Sequence, residues 1–494
     1  MNIFLKKLDN VFCRVEAEPH IIQELSEIFT FDAPGAKFMP SYRQKRWDGK
    51  IRLLRKGTNK IYIGLCKYIE EYSKENSYTF SKDFEITQDP QPLNFSKWFY
   101  NGEQIHPHDH QIKAIFAAVK NKRQIFLFPT GSGKSLIIYT IARNLLSQVK
   151  GKILVMVPTT SLVEQLYSDF EQYAGSDWDV EKNTTRIYSG MVREDKRIVI
   201  STWQSLYDKP TSYFDDYNVV IGDEAHLYKS KEISALLEKL INCEYRYGCT
   251  GTLDGEHCNK LVLEGLFGPV FSVVSTADLV KSKHLSNFII KCFMLKYPDK
   301  IKKANKDNQY EDEVQFLIGN DARNNFITDL AVNTAGNTLV LFSRVESHGL
   351  KLYELIKSKT NRPVYFIYGG TQTTIREDIR TSVEQTTDSI IVASSQIFST
   401  GINIKSLANI IFSQPSKSRV RTLQSIGRAL RISSKKTMAT IFDISDDLEW
   451  KGSPNYTLKH FTERLKIYVS EDFKYNIKEV DLDKLYSDNK TLDI

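Results

Sequence analysis

The chain has 494 residues, 41% apolar and 12% aromatic, so its length implies about three domains and its composition excludes a disordered chain. Charged residues make up 26%, which suits a solvated surface, while a net charge of +7 does not by itself establish a polyanionic partner. No apolar run approaches the ~20 residues of a membrane span, and the N-terminus MNIFLKKLDN lacks the apolar core of a signal peptide.

Cys13, Cys66, Cys243, Cys249, Cys258 and Cys292 form no C-x2-C pair, which argues against zinc and for a reducing compartment. A soluble, cytoplasmic protein is expected.

Residues 1–95 are expected to form a small α+β domain, with β-like runs at Ile51–Leu54 and Ile61–Leu65 and a helix near Ile21–Phe29. Eight basic residues, Arg43, Lys45, Arg46, Lys50, Arg52, Arg55, Lys56 and Lys60, face one acid, Asp48. Such density fits a duplex or junction backbone, with a plain solvated face as the other reading. Arg43, Lys45, Arg46, Trp47, Lys50 and Arg52 are the candidate contacts. Trp47 is expected half-buried in a small β domain, with base stacking as the alternative. The polar stretch QDPQPLNFSK then reads as a linker.

Residues 96–285 alternate apolar runs with amphipathic segments. Strands are expected at Gln124–Phe128, Lys152–Val157, Arg197–Ile200, Asn218–Ile221 and Tyr245–Cys249, and helices at Lys134–Leu146 and Thr160–Tyr173. Alternation of this kind builds a doubly wound parallel sheet. A charge-rich patch at 302–313 falls within a second such domain, 286–455, with strands at Thr338–Phe342, Val364–Ile367, Ser389–Ala393, Asn409–Phe412 and Met438–Phe442. The tail, 456–494, reads as helical and then polar. Seven basic residues and no acid lie between Lys417 and Lys436.

The run Phe128-Pro129-Thr130-Gly131-Ser132-Gly133-Lys134-Ser135 follows a strand and opens a helix. Glycines there let backbone N–H groups approach phosphates, and the helix N-terminus adds positive potential. Thr130, Gly131, Ser132 and Gly133 would cradle the phosphates, Lys134 would neutralise them, and Ser135 would bind Mg2+. Phe128 stands where the phosphate-loop consensus has glycine. Asp223 and Glu224 end an apolar strand within the same domain, which suits Mg2+ binding by the first and water activation by the second.

Asp223-Glu224-Ala225-His226 after such a loop resembles the superfamily 2 helicases, and further motifs follow in their order. Gln111 is similar to the adenine-recognising glutamine. Val157–Leu162 resembles motif Ia, Ser201–Gln204 a DNA-contacting motif, and Thr250-Gly251-Thr252 motif III. Leu341–Arg344 resembles motif IV, Ser399–Asn403 motif V, and Gln424–Arg431 motif VI. On a helix, Gln424, Arg428 and Arg431 share one face, and their guanidinium groups are suited to transition-state charge on the γ-phosphate. Asn403 stands where many members carry Asp, so the contact that acid makes does not carry over.

The segment Phe38–Arg43 with Trp47–Leu54 resembles the phage UvsW-type helicases, as do Thr202-Trp203-Gln204 and the motif V and VI runs. The resemblance implies two RecA-like domains that hydrolyse ATP·Mg2+ and act on branched, forked or duplex DNA. Branch migration, fork regression and R-loop unwinding, with RNA–DNA hybrids among the substrates, come with it. So do roles in recombination, repair and replication, and single-strand-binding or recombination proteins as partners of a monomer. ATP-site residues by motif position also include Gly401 and Asn403. The strand track would be Thr159, Thr160, Thr202, Gln204, Ser343, Arg344, Gly370 and Thr400, each hydroxyl being equally suited to a turn or helix cap. Two rivals remain: a restriction-system motor, for which Pro298-Asp299 lacks a nearby acid-x-Lys, and an ATP-gated DNA clamp or annealing factor.

Overall fold

The computed structural model describes all residues except 34, 130, 189–194, 229, 254–256, 397–403, 405, 415–437 and 488–494. The chain divides into two compact units, Met1–Phe128 with Gly133–Val274, and Pro129–Ser132 with Ser275–Ile494.

The first unit opens with a small α+β domain. Its strands are β1 (Asn2–Lys7), β2 (Phe12–Glu16), β3 (Thr30–Asp32), β4 (Lys50–Arg52), β5 (Lys60–Tyr62) and β6 (Thr79–Lys82). A four-stranded sheet runs β5-β2-β1-β6, and β3 pairs with β4 as a separate hairpin. Along β1 the chain alternates, so Ile3 and Leu5 point into the core. Helices Pro19–Ile28 and Cys66–Glu75 bury Ile21, Leu25 and Ile69 in that same core. The predicted strand at Ile61–Leu65 stops at Tyr62, and Ile63–Leu65 instead form a single tight turn of 3-10 helix.

Residues 88–97 carry no helix or strand and lead into β7 (Trp98–Tyr100), which pairs with β8 (Glu103–Ile105). They are nonetheless fastened to the domain that follows: Gln88 Nε2 donates to Val119 O at 2.8 Å and Asn94 Nδ2 to Ser147 Oγ at 2.9 Å.

The larger domain of this unit has strands β9 (Arg123–Leu127), β10 (Lys152–Val157), β11 (Thr184–Ile187), β12 (Ile198–Thr202), β13 (Tyr217–Asp223), β14 (Tyr245–Thr250) and β15 (Val270–Ser272). They form one sheet in the order β11-β12-β10-β13-β14-β9-β15, each neighbouring pair parallel. Strands covered by helices on both faces must be apolar throughout, as Ile153–Val157 and Val219–Ile221 are. The helices Lys134–Leu146 and Thr160–Tyr173 have the predicted bounds.

The second unit repeats this design with β16 (Asn287–Lys296), β17 (Thr338–Phe342), β18 (Val364–Ile367), β19 (Ile390–Ser394), β20 (Asn409–Phe412), β21 (Met438–Asp447) and β22 (Tyr475–Asp481). Its order is β18-β19-β17-β20-β21-β16-β22, again parallel. The charge-rich patch at 302–313 is helical for most of its length, in Asp299–Asn305 and Tyr310–Gly319. The tail differs from expectation. After helix Tyr456–Ser470 it returns as β22 along the edge of the sheet, because the buried parallel partner β16 offers a full row of backbone groups.

Candidate nucleotide site and nucleic-acid surfaces

Ligands of a doubly wound sheet collect at the carboxyl ends of its strands. Gly133 caps the helix Lys134–Leu146 in the left-handed conformation, φ 79°, and Gly131 has φ 88°. A Cβ on Gly133 would stand 2.2 Å from Gln111 Nε2, so the glutamine amide lies directly on the phosphate loop. Gln111 also accepts the His108 backbone N–H at 2.9 Å, closing a capping box on helix Asp109–Lys120.

At the end of β13 the two acids meet the loop lysine. Lys134 Nζ lies 2.7 Å from Asp223 Oδ1 and 2.9 Å from Glu224 Oε1. Glu224 is left-handed at φ 51°, and its N–H donates to Asp223 Oδ1 at 2.8 Å. That sharp turn costs about 1 kcal/mol for a non-glycine residue and lets consecutive carboxylates address one cation. Burial alone would neutralise Lys134, but the Asp223 and Glu224 charges outweigh it and hold the ammonium protonated. Burial raises Asp223 above the usual carboxylate range. Glu224 is shifted the other way: burial opposes ionisation, yet Lys134 and His226 keep it well below that range.

Sequence reading missed two residues here. His226 Nδ1 sits 3.3 Å from Glu224 Oε2 and 2.9 Å from Thr250 Oγ1, which itself donates to Thr252 O at 3.0 Å. The D-E-A-H run contained that histidine, but its geometry needs the left-handed turn. Tyr173, with its hydroxyl 2.9 Å from Ser135 Oγ, gave no signal at all, since 38 residues separate the two. Burial pushes its phenol up to about 12, which keeps it a neutral hydrogen-bonding group.

The other candidates scatter. Gln204 Nε2 reaches Pro158 O at 3.5 Å, bringing the 202–204 and 158–160 loops side by side. Thr159 serves as the N-cap of helix Thr160–Tyr173, accepting from Leu162 N–H at 3.4 Å, while Thr160 is exposed. Thr202 is buried, with its hydroxyl 2.9 Å from Ser205 Oγ. Ser343 and Gly370 are exposed, and Arg344 is paired with Glu311. In the small domain Arg43, Lys45 and Arg46, between β3 and β4, and Lys50, the first residue of β4, are exposed, whereas Arg52 pairs with Asp48. Trp47 is half-buried and donates Nε1–H to Lys50 O at 3.0 Å, consistent with the packing reading. Thr130, Thr400, Gly401, Asn403, Gln424, Arg428 and Arg431 lie outside the described residues. Among the described residues no helix is long and apolar enough to cross a membrane.

Two RecA-like parallel-sheet domains, one with a glycine-rich loop and its lysine bound to a D-E-A-H strand end, define a helicase-type nucleotide motor. Comparison with known proteins narrows this. Family profiles match at residues 2–83 (DNA helicase UvsW, N-terminal), 104–255 (type III restriction enzyme, res subunit) and 322–433 (helicase conserved C-terminal domain). The ATP-dependent DNA helicase uvsW of Enterobacteria phage T4 is 34% identical over 496 residues, 95% of this chain and 97% of its own. A crystal structure of T4 UvsW matches with TM-score 0.52 at 32% identity, covering 98% of this chain and all of that one. The DNA-bound Type ISP restriction-modification enzyme LlaBIII shares the fold, with TM-score 0.55 at 16% identity over 76% of this chain and 32% of its own. The chain belongs to the UvsW family of ATP-dependent DNA helicases.

Proposed function

We propose that this protein uses ATP·Mg2+ to move along DNA and to remodel branched, forked and R-loop structures, in phage recombination, repair and replication. One observation carries the reading. Lys134, Asp223 and Glu224 form a closed three-group cluster at the strand ends of a helicase motor domain, in a chain colinear with T4 UvsW. A triphosphate offers Lys134 more negative charge than the two acids do. Binding would therefore draw the ammonium onto the β- and γ-phosphates and release both carboxylates. Ser135 and Asp223 supply the hard hydroxyl and carboxylate oxygens that suit Mg2+, and the ion would neutralise phosphate charge. Glu224, strongly ionised, is the general base that orients water, with His226 holding its second oxygen. Gln424, Arg428 and Arg431 are assigned to water positioning and transition-state charge by their motif, and Gln111 to adenine.

Glu224→Gln should retain ATP and DNA binding and lose at least ~100-fold in DNA-stimulated ATPase, the scale of a general base. Lys134→Ala should lose nucleotide binding itself. Strand displacement on a forked duplex, run beside a four-way junction, separates a helicase from a clamp. ATPase without activity on either substrate would make the protein a clamp, and full turnover by Glu224→Gln would mean the site is elsewhere.

A further inference from the structure

The small domain and the first motor domain meet at two glycines that face each other. Gly64 occupies the tight turn Ile63–Leu65, and a Cβ there would stand 2.0 Å from Glu264 O and 2.7 Å from Gly265 O. Gly265 lies on helix His257–Phe267, and a Cβ there would stand 2.8 Å from the Tyr62 ring. Neither glycine has positive φ. Backbone conformation does not require glycine at these positions, but the closeness of the two chains does. Polar contacts seal the seam. Tyr68 OH donates to Glu264 Oε2 at 2.5 Å, Tyr62 OH to Glu238 Oε1 at 2.6 Å, and Arg55 pairs with Glu238 at 2.9 Å. Arg123 Nη2 donates to Asn10 O, and Asn10 N–H to Ile241 O at 3.0 Å. Beneath them one apolar core runs from Ile3, Leu5 and Leu25 through Tyr62 and Leu65 into Leu261, Leu266 and Phe267.

The β3–β4 hairpin is fixed to the same helix. The Phe31 ring lies 5.4 Å from the His257 ring, edge-on, at the first residue of that helix, and Leu53 and Leu54 are buried in the shared core. The exposed Arg43, Lys45, Arg46 and Lys50 at the hairpin's tip therefore have a fixed place relative to β14 and the rest of the first parallel-sheet domain. A module tethered by a linker would instead sample many positions.

We propose that the small domain is a rigid arm of the first motor domain, with the Gly64–Gly265 contact as its weld. The arm grips the duplex of a fork or junction by its phosphates, so that a step taken on one strand is exerted against the held duplex. Gly64, Gly265, Tyr62 and Glu238 are positioning residues. The inference rests on the DNA-helicase reading above, and it predicts that damage at the weld separates hydrolysis from remodelling.

The test compares wild-type protein with Gly64→Ala, Gly265→Ala and the milder pair Tyr62→Phe/Glu238→Gln. In the glycine variants, hydrogen exchange across Ile63–Leu65 should rise at least tenfold. ATPase stimulated by single-stranded oligonucleotide should stay within twofold of wild type, and unwinding of a forked duplex should fall at least tenfold. The milder pair should show the same split, with a three- to tenfold loss of unwinding. Wild-type fork unwinding in the glycine variants, whatever their hydrogen exchange, overturns the proposal. If they lose the single-strand ATPase through misfolding, the milder pair decides: intact unwinding there overturns it as well. Failure of the wild-type protein to hydrolyse ATP with DNA present would sink the helicase reading, a result distinct from all of these.

Discussion

Glu224 shows how one residue's conformation organises a site. Its left-handed turn aims one carboxylate oxygen at Lys134 and leaves the other for His226, which is in turn held by Thr250. The pair Asp223-Glu224 was legible as a run of two acids closing an apolar strand. The support behind it was not, because the Glu224–His226–Thr250 relay joins β13 to β14 and depends on which strands pair. Removing one hydrogen bond to a charged group costs ~1.5–3 kcal/mol, about a tenfold or greater change in rate. Thr250→Val and His226→Ala should therefore each lower kcat for ATP by about tenfold while leaving KM for ATP within threefold. Steady-state ATPase at saturating DNA measures this. Unchanged kcat in both variants would remove the relay from the mechanism.

At the scale of elements, buried parallel strands were easy to read where apolar residues run unbroken, as at Thr338–Phe342 and Asn409–Phe412. The expectation for β21 ended at Phe442 because Asp443, Ser445, Asp446 and Asp447 follow it. The strand continues through them because each charge meets a partner: Arg464 takes Asp443, Arg323 takes Asp446 and Lys296 takes Asp447. Those partners are 21, 123 and 151 residues away in sequence, beyond any local pattern. β22 was missed for the opposite reason: it is an exposed edge with only Val480 buried. The short helical turn Val345–Gly349 buries another polar group, His348, whose two ring nitrogens have no hydrogen-bond partner among the described residues. Burial, with Arg323 and Lys351 nearby, pushes its pKa down from 6.5 to about 3. Below pH 6.5 the unfolded chain takes a proton that the folded chain refuses. The neutral imidazole thus favours folding fully above that pH, and the contribution fades as pH falls toward about 3. By pH 5 the loss should approach ~2 kcal/mol. His348→Leu should flatten the decline in melting temperature between pH 6.5 and 4.5, and an unchanged decline would mean that other groups set it.

For the whole molecule, net charge said little and its placement said more. Of the eight basic residues from Arg43 to Lys60, the fold uses several internally. Arg52 pairs with Asp48, Arg55 with Glu238, and Lys60 Nζ lies 3.8 Å over the Phe12 ring. A cation already matched by a fixed carboxylate or ring gains less from a phosphate and displaces fewer counterions. Lys56, beyond β4, is exposed as well, but Arg43, Lys45, Arg46 and Lys50 are exposed together between β3 and the first residue of β4, so the electrostatic grip on a duplex should come chiefly from these four. Each phosphate contact contributes about 0.9 to the slope of log affinity against log salt. Replacing all four with alanine should therefore flatten that slope by ~3–4 for a forked duplex, whereas Arg52→Ala should change it by less than ~1. Fluorescence anisotropy across a salt series reads both. Equal slopes for the quadruple variant and wild type would show that the loop does not touch phosphate. A large effect from Arg52→Ala would show that the Asp48 pair opens on binding, so that the loop rearranges to meet its duplex.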